Sequence, residues 1–125
     1  PPISLKPKWF ENFTAYTIAK FGMSMCVIGM SEEYKKYNVA VNALWPKTAI
    51  DTAAIRMLGG VVRPEQCRKV DILADASFFI LRRDSNKFTG KFYIDEEVLA
   101  EEGIKDLEKY SVKPGEKLFT DLYLD

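Results

Sequence analysis

The sequence contains no histidine, and this absence removes whole classes of chemistry from its 125 residues. A Ser-His-Asp triad, a Cys-His dyad and a histidine-ligated zinc site all need an imidazole. Acid–base work near neutral pH is therefore left to Tyr, Lys, Cys and carboxylate side chains whose pKa values are shifted by their surroundings.

Cysteine is nearly as scarce, with only Cys26 and Cys67 in the chain. Neither has a second pair of potential ligands close by, so the sequence predicts neither a metal site nor a redox CxxC motif. We expect both thiols to be buried apolar fillers. Such cysteine usage is typical of a reducing compartment.

Net charge is absent as well, because 18 Lys and Arg residues balance 18 Asp and Glu residues. We therefore expect no nucleic-acid partner and no attraction to an anionic membrane. No apolar run reaches the roughly 18 to 20 residues of a membrane-spanning helix. The chain begins at Pro1 without an initiator methionine or signal peptide, and we expect it to be a fragment.

What is present is a globular composition, 47% hydrophobic and 13% aromatic. A proline-free stretch predicts a long helix over 14–37, apolar on nearly all sides. The patterns then predict a buried strand over 39–45, a helix over 64–82, a short strand over 91–94 and one or two helical turns over 96–102. The order helix, strand, helix, strand is that of the second half of an α/β sandwich.

Tyr16 and Lys20 lie four residues apart on the predicted long helix, so both project from one face. A phenol with its ordinary pKa near about 10 exchanges protons poorly at neutral pH. An ammonium held within about 4 to 6 Å stabilises the phenolate and lowers the tyrosine pKa by roughly 1 to 3. The spacing alone is weak evidence, since a surface tyrosine beside a solvated lysine has the same spacing.

Four stretches in a fixed order are more specific than this pair. They are residues 15–23 with Tyr-x-x-x-Lys, 39–46 with Val-x-Val-Asn ending in Pro, the Thr-bearing loop 47–52, and 88–95. Over residues 9 to 96 this order resembles the C-terminal half of short-chain dehydrogenases/reductases. The resemblance implies an α/β fold, namely the C-terminal half of a doubly wound parallel (Rossmann-type) sheet whose N-terminal dinucleotide-binding half is missing from this chain.

Catalytic roles follow from the resemblance, which implies hydride transfer between NAD or NADP and a carbonyl or alcohol carbon of an apolar or lipid-like substrate. Tyr16 would be the acid–base residue, and Lys20 would lower its pKa and bind the nicotinamide ribose. The family's serine lies about 13 residues before the tyrosine. Ser4 is close to that position, but in the branch of the family that this chain most resembles the serine should directly precede Pro1, so Ser4 is a weak candidate and a loop serine is the alternative.

Cofactor contacts are implied for the segment after the predicted strand. Backbone groups of Pro46, Lys47 and Ile50 would hold the nicotinamide carboxamide. Thr48 or Thr52 would contact carboxamide or phosphate oxygens. The choice between these threonines stays open, because the loop is about one residue longer than is common and Pro-Lys replaces the usual Pro-Gly.

The rest of a dinucleotide site is not encoded here, since the seven glycines form neither GxxxGxG nor GxGxxG. Without that turn, pyrophosphate has no helix N-terminus to bind, and we expect the chain to be inactive alone. We expect residues 1–102 to be the C-terminal part of the reductase domain and 103–125 an extension or connector.

One branch of the family shares further stretches with this chain, and in it a sterol-carrier-type lipid-binding domain follows the reductase domain. That branch is associated with peroxisomes and mitochondria, so we expect one of these locations, with the cytoplasm as the alternative. The chain ends in Tyr-Leu-Asp, which is not a peroxisomal tripeptide.

A different class of function is the alternative: a non-catalytic oligomerisation or lipid-handling module that keeps the fold. The apolar 14–37 helix would be an interface in either case, because the family builds dimers and tetramers on the equivalent helix. We therefore expect a homodimer or homotetramer. Met57 and Leu58 would contact an apolar substrate if the loop after Pro46 is mobile.

Overall fold

The computed structural model of the chain describes residues 1–57 and 59–124. The helices and strands are α1 (Thr14–Lys35), β1 (Ala43–Trp45), α2 (Ala53–Met57), α3 (Asp71–Leu81), β2 (Phe92–Ile94) and α4 (Asp95–Glu101). Single turns of 3-10 helix lie at Pro7–Trp9, Pro64–Gln66 and Glu108–Tyr110. The predicted α/β class is confirmed.

β1 and β2 form a parallel pair. The Ala43 N–H donates to the Lys91 carbonyl and the Gly90 N–H donates to the Val41 carbonyl, each at 2.8 Å. Both bonds advance in the same direction along the two chains, as the parallel register requires. The pair is therefore a piece of the Rossmann-type sheet that the resemblance implied.

The prediction of a strand over 39–45 is wrong for residues 39–42, because the strand begins only at Ala43. Upstream of it, side chains supplement the backbone bond between Gly90 and Val41. The Val41 N–H donates to Thr89 Oγ1 at 3.1 Å, and the Asn42 side chain donates to the Phe88 carbonyl at 2.9 Å. These two bonds connect the stretch before the strand to residues 88 and 89 without a regular ladder.

α1 approaches the turn before β2 at Gly90. This residue has a φ of +69°, a region that favours glycine, and a Cβ there would lie 3.0 Å from Ser31 Oγ. Ser31 is buried, and its hydroxyl donates to the Ile28 carbonyl. The close contact between helix and turn therefore depends on the missing side chain at position 90.

The described residues divide into two compact units. The first contains Pro1–Trp45, Arg83–Tyr93 and residues 122–124. The second contains the described residues of Pro46–Arg82 and Ile94–Asp121. Each unit has its own core.

Tyr123 is at the centre of an aromatic cluster in the first unit. Its ring centroid lies 5.5 Å from that of Trp9, 5.1 Å from Phe21 and 5.9 Å from Trp45. Because Thr17 Oγ1 donates its proton to the Trp9 carbonyl, the Tyr123 hydroxyl, 3.0 Å away, donates to Thr17 Oγ1. The buried side chains of α1 form one ridge, which consists of Thr17, Phe21, Ser24 and Ser31.

The core of the second unit forms where α3 packs against α4. Its two apolar clusters centre on Ile50, Ile72, Leu99 and Tyr110, and on Ala49, Val62 and Cys67. The Tyr110 hydroxyl donates to Asp75 Oδ2 at 2.6 Å. Residues 103–125, predicted as an extension or connector, thus contribute Tyr110 to this core, as they contribute Tyr123 to the first unit.

The prediction of one continuous helix over 64–82 is wrong, because α3 begins only at Asp71. Arg68 explains the break. Its N–H donates to the Ala49 carbonyl and its carbonyl accepts from the Asp51 N–H, both at 2.9 Å, in a parallel bridge. This pairing holds the backbone around Arg68 extended, so tertiary contacts override the local helical pattern.

Much of the apolar surface of α1 is exposed, in agreement with a helix that needs a further surface to cover it. The exposed large side chains on α1 are Tyr16, Ile18, Met23, Met25, Ile28, Met30 and Tyr34. Cys26 is also exposed, so the expectation that it is a buried filler is wrong, whereas Cys67 is buried as expected. Cys26 lies outside the ridge that the aromatic cluster covers.

We predict that Phe21→Ala lowers the free energy of unfolding of the intact protein by about 3 to 5 kcal/mol, because it removes a buried ring from the aromatic cluster. Phe13→Ala is the matched control, since Phe13 is exposed beside the start of α1, and it should cost about 1 kcal/mol or less. Urea unfolding followed by tryptophan fluorescence measures both. Equal losses for the two variants would contradict the buried ridge.

Candidate active site

Tyr16 and Lys20 lie on α1 beside its buried ridge. The residues that follow them, Thr17 and Phe21, are buried, whereas Tyr16 is 47% exposed. Since each helical residue is rotated by about 100° from the one before, the pair faces the border between buried and exposed surface. The predicted placement of both side chains on one face of a long helix is what the structure shows.

The Lys20 ammonium lies near two aromatic rings. Nζ is 5.3 Å from the ring centroid of Tyr16 and 5.9 Å from that of Trp45. Both distances are within the roughly 6 Å over which a cation is attracted to a ring face. Trp45 is itself held, because its Nε1–H donates to the Leu122 carbonyl at 3.1 Å. Lys20 is therefore placed beside Tyr16 by its neighbours and is only partly exposed.

This arrangement places a positive charge next to a phenol. A phenol hydroxyl is a group that can give a proton to a substrate oxygen or take one from it. Of the alternative, a surface tyrosine beside a solvated lysine, the structure shows the exposed tyrosine, whereas Lys20 is only partly exposed and lies near a second ring on another element.

Ser4 lies in the loop before α1, in the first unit. Its Oγ accepts a hydrogen bond from the Lys6 N–H at 3.3 Å, within a local turn. This bond is the one expected of a loop serine, and a catalytic role for Ser4 stays a prediction.

In the second unit, the segment Pro46–Thr52 is bonded to two other parts of the chain. The Ala49 N–H donates to the Phe119 carbonyl at 2.8 Å, and the Asp121 N–H donates to the Lys47 carbonyl at 3.1 Å. The bridge to Arg68 holds the same segment further along. Its backbone is thus fixed by residues 17 or more positions away in sequence.

Thr48 and Thr52 differ in exposure and bonding. Thr48 is buried, and its Oγ1 has no hydrogen-bond partner among residues 1–57 and 59–124. Thr52 is exposed, and its Oγ1 accepts a hydrogen bond from the Ile55 N–H at 3.4 Å, where α2 begins. In this arrangement a ligand that approaches from solvent reaches the hydroxyl of Thr52 and not that of Thr48.

Arg56 of α2 bonds back to Asp51, the residue before Thr52. Its Nε and Nη2 donate to the two carboxylate oxygens of Asp51 at 2.9 and 2.6 Å, a bidentate pair. These bonds from Arg56 hold the pKa of the Asp51 carboxyl below its usual value. Met57 is exposed at the end of α2, Leu58 lies outside the described residues, and their contact with a substrate stays a prediction.

The two units offer different functional groups. The first unit presents a phenol and an ammonium, and the second presents backbone groups and the Thr52 hydroxyl. Within the described part of the chain, no three His, Cys, Asp or Glu side chains are grouped so that they could hold a metal ion. No helix in that part is long and apolar enough to cross a membrane.

Known proteins resemble the chain along its whole length, although no protein-family profile matches it. It is 61% identical to Hydroxysteroid dehydrogenase-like protein 2 of Xenopus laevis, 58% to that of Danio rerio and 57% to that of Homo sapiens, over all 125 residues. The chain covers 30%, 30% and 29% of these relatives and so spans under a third of their length.

Two crystal structures give the same result. A Xanthomonas campestris protein assigned as a dehydrogenase matches with a TM-score of 0.94 and 48% identity, over 100% of this chain and 46% of that one. A short-chain dehydrogenase from Mycobacterium thermoresistibile matches with a TM-score of 0.88 and 41% identity, over 100% and 44%. Over its whole length, the chain is therefore similar to part of a short-chain dehydrogenase. It matches a C-terminal part of such a protein, so the resemblance inferred from the sequence is confirmed.

The similarity to dehydrogenases suggests a nicotinamide cofactor for the family, and each unit, taken by itself, holds groups that fit part of one. The exposed Tyr16, the neighbouring Lys20 ammonium and the exposed Thr52 hydroxyl are groups that can bond to ribose and carboxamide oxygens. The sequence holds no glycine-rich turn for the pyrophosphate.

Sequence reasoning missed the part that Trp45 plays. The sequence places this residue only at the end of a predicted strand, whereas in the structure its ring lies near Lys20. The available sequence signal is a tryptophan directly before Pro46, at the end of the strand that pairs with β2. The contact of this tryptophan with α1 depends on how the helix packs, which the sequence signal does not contain.

We predict opposite effects for two threonine-to-valine substitutions in the intact protein. Thr17→Val removes bonds to the Trp9 carbonyl and the Tyr123 hydroxyl and should lower the free energy of unfolding by about 1 to 3 kcal/mol. Thr48→Val replaces an unpartnered buried hydroxyl by a methyl group and should leave it unchanged or raise it by up to about 1 kcal/mol. Urea denaturation measures both, and a loss for Thr48→Val as large as that for Thr17→Val would contradict the difference in bonding.

Proposed function

We propose that the complete protein is an NAD- or NADP-dependent oxidoreductase that transfers hydride to or from a carbonyl or alcohol carbon. This chain contributes the proton-transfer residues. The observation that carries the proposal is the Lys20 ammonium 5.3 Å from the Tyr16 ring, on the helix that holds the Tyr-x-x-x-Lys sequence. Its similarity to proteins named as dehydrogenases supports the same class.

Tyr16 is the acid–base residue of the proposed reaction. A bound nicotinamide cofactor supplies or accepts the hydride at the substrate carbon. During reduction Tyr16 donates a proton to the substrate oxygen, and during oxidation it accepts one. Lys20 stabilises the phenolate that remains and bonds to the nicotinamide ribose.

The segment Pro46–Thr52 orients the nicotinamide ring in this proposal. The Thr52 hydroxyl and the backbone around Ile50 contact the carboxamide. Both backbone groups of Lys47 are already bonded within the protein, its N–H to Asp95 and its carbonyl to Asp121. The contribution of Lys47 is therefore to fix the segment, and Thr48 contributes through its backbone because its hydroxyl is buried.

A small apolar or lipid-like carbonyl or alcohol is the proposed substrate. The name of the matched relatives, Hydroxysteroid dehydrogenase-like protein 2, favours such a compound. A peroxisomal or mitochondrial location, with the cytoplasm as the alternative, is proposed from the family resemblance. A homodimer or homotetramer through α1 is proposed from the exposed apolar side chains of that helix.

The second candidate is a non-catalytic oligomerisation or lipid-handling module. The observation that favours it is the same exposed surface of α1, which does not require any chemistry at Tyr16. The two candidates differ in whether the complete protein binds a reduced nicotinamide cofactor.

We predict that Tyr16→Phe lowers kcat of the complete protein by about 10²- to 10⁴-fold, because the ring stays in place and the transferable proton is lost. The dissociation constant for NADH or NADPH should change by about threefold or less, since the Lys20 ammonium is retained. Tyr34→Phe, on the same helix, is the control and should leave both quantities unchanged. Turnover assays and titration by nicotinamide fluorescence measure them.

Two outcomes would contradict the proposal in different ways. Unchanged turnover of Tyr16→Phe would remove the acid–base role of Tyr16. The absence of saturable fluorescence with either cofactor in the wild-type protein would favour the non-catalytic module.

A further inference from the structure

Asp95 is a completely buried carboxyl side chain at the first residue of α4. Its Oδ1 accepts hydrogen bonds from the N–H groups of Lys47 and Glu96, both at 2.8 Å. Its Oδ2 is buried without a hydrogen-bond partner in the described part of the chain. One oxygen therefore joins the start of the Pro46–Thr52 segment to the start of α4, within the second unit.

Such a carboxyl is costly to bury. An oxygen removed from water without a partner destabilises the folded state. Burial raises the pKa of the Asp95 carboxyl above its usual value, and the N–H groups of Lys47 and Glu96 act in the opposite direction. A serine or threonine would satisfy the first N–H groups of α4 without a buried charge, so the start of the helix does not explain an aspartate here.

The bond to Lys47 does explain it. Pro46 has no N–H, so Lys47 carries the first backbone donor of the segment. Asp95 takes this donor, and the Asp121 N–H takes the Lys47 carbonyl at 3.1 Å. Both polar groups of Lys47 are thereby fixed, and Ala49 is fixed in the same way by Phe119 and Arg68.

We propose that Asp95 is a positioning residue that fixes the peptide between Pro46 and Lys47 and, through it, the orientation of the groups that bind the nicotinamide end of the cofactor. This inference rests on the proposed function. Asp95 touches no ligand itself, because it has no exposed surface. Its effect is on cofactor affinity and not on the proton transfer at Tyr16.

The test compares three variants of the complete protein. Asp95→Asn keeps an oxygen acceptor of the same reach, whereas Asp95→Ala removes it. Asp75→Ala is the matched control, because it also removes a carboxylate in the second unit. The hydrogen bond of Asp75 is to the Tyr110 hydroxyl and not to the segment Pro46–Thr52. If Asp95→Ala does not fold, Asp95→Ser replaces it, since the shorter side chain can reach the Glu96 N–H but not Lys47.

We expect Asp95→Ala or Asp95→Ser to raise the dissociation constant and KM for NADH or NADPH by about tenfold or more, with kcat at saturating cofactor within about threefold of wild type. Asp95→Asn should retain affinity within about threefold. Asp75→Ala should lower the melting temperature and leave the dissociation constant unchanged. Wild-type affinity in Asp95→Ala, or an equal loss of affinity in Asp75→Ala, would overturn the proposal.

Amide hydrogen exchange at Lys47 separates this inference from the proposed function. If wild type binds neither NADH nor NADPH, the proposed function fails and the cofactor part of the inference fails with it. The positioning of the segment is still tested, because the Lys47 amide should be protected in wild type and Asp95→Asn and exchange faster in Asp95→Ala. Fast exchange in wild type would overturn the positioning role whatever the cofactor titration shows.

Discussion

Burial of one ridge of α1 determines where the proposed proton-transfer pair lies. Thr17 and Phe21 are covered by the aromatic cluster around Tyr123, and helix geometry then turns the preceding residues, Tyr16 and Lys20, to the edge of the buried surface. There Lys20 contacts the Tyr16 ring and a ring on the sheet. Without that burial, the same two side chains would be an ordinary pair on a solvated helix.

Local patterns predicted the elements better than their pairing. The long helix, the two strands and the turns of α4 follow from periodicity over neighbouring residues. The break before α3 does not, because it depends on a backbone bridge from Arg68 to the segment around Ile50. The exposure of Cys26 likewise depends on which side of an all-round apolar helix the aromatic cluster covers.

The candidate site was predictable to the same extent. Tyr16 and Lys20 are predicted from their spacing within one helix, and the similarity to short-chain dehydrogenases is predicted from the order of four stretches. The bond of Asp95 was not predictable, because the N–H from which it accepts a hydrogen bond lies 48 positions away. The difference in exposure between the Thr48 and Thr52 hydroxyls was not predictable either. Exposure of a hydroxyl is set by packing between distant segments, which no local pattern records.

A double-mutant cycle on Tyr16 and Lys20 in the complete protein tests the central claim, that the two groups act as a unit. The account predicts that, at saturating cofactor, Tyr16→Phe, Lys20→Met and the double variant lose kcat/KM for the carbonyl or alcohol substrate by similar factors, because either change removes the same proton transfer. Lys36→Met, which removes an ammonium 4.9 Å from the Tyr37 ring, is the matched control and should have no effect. Losses that multiply in the double variant, or wild-type kcat/KM in Lys20→Met, would contradict the account.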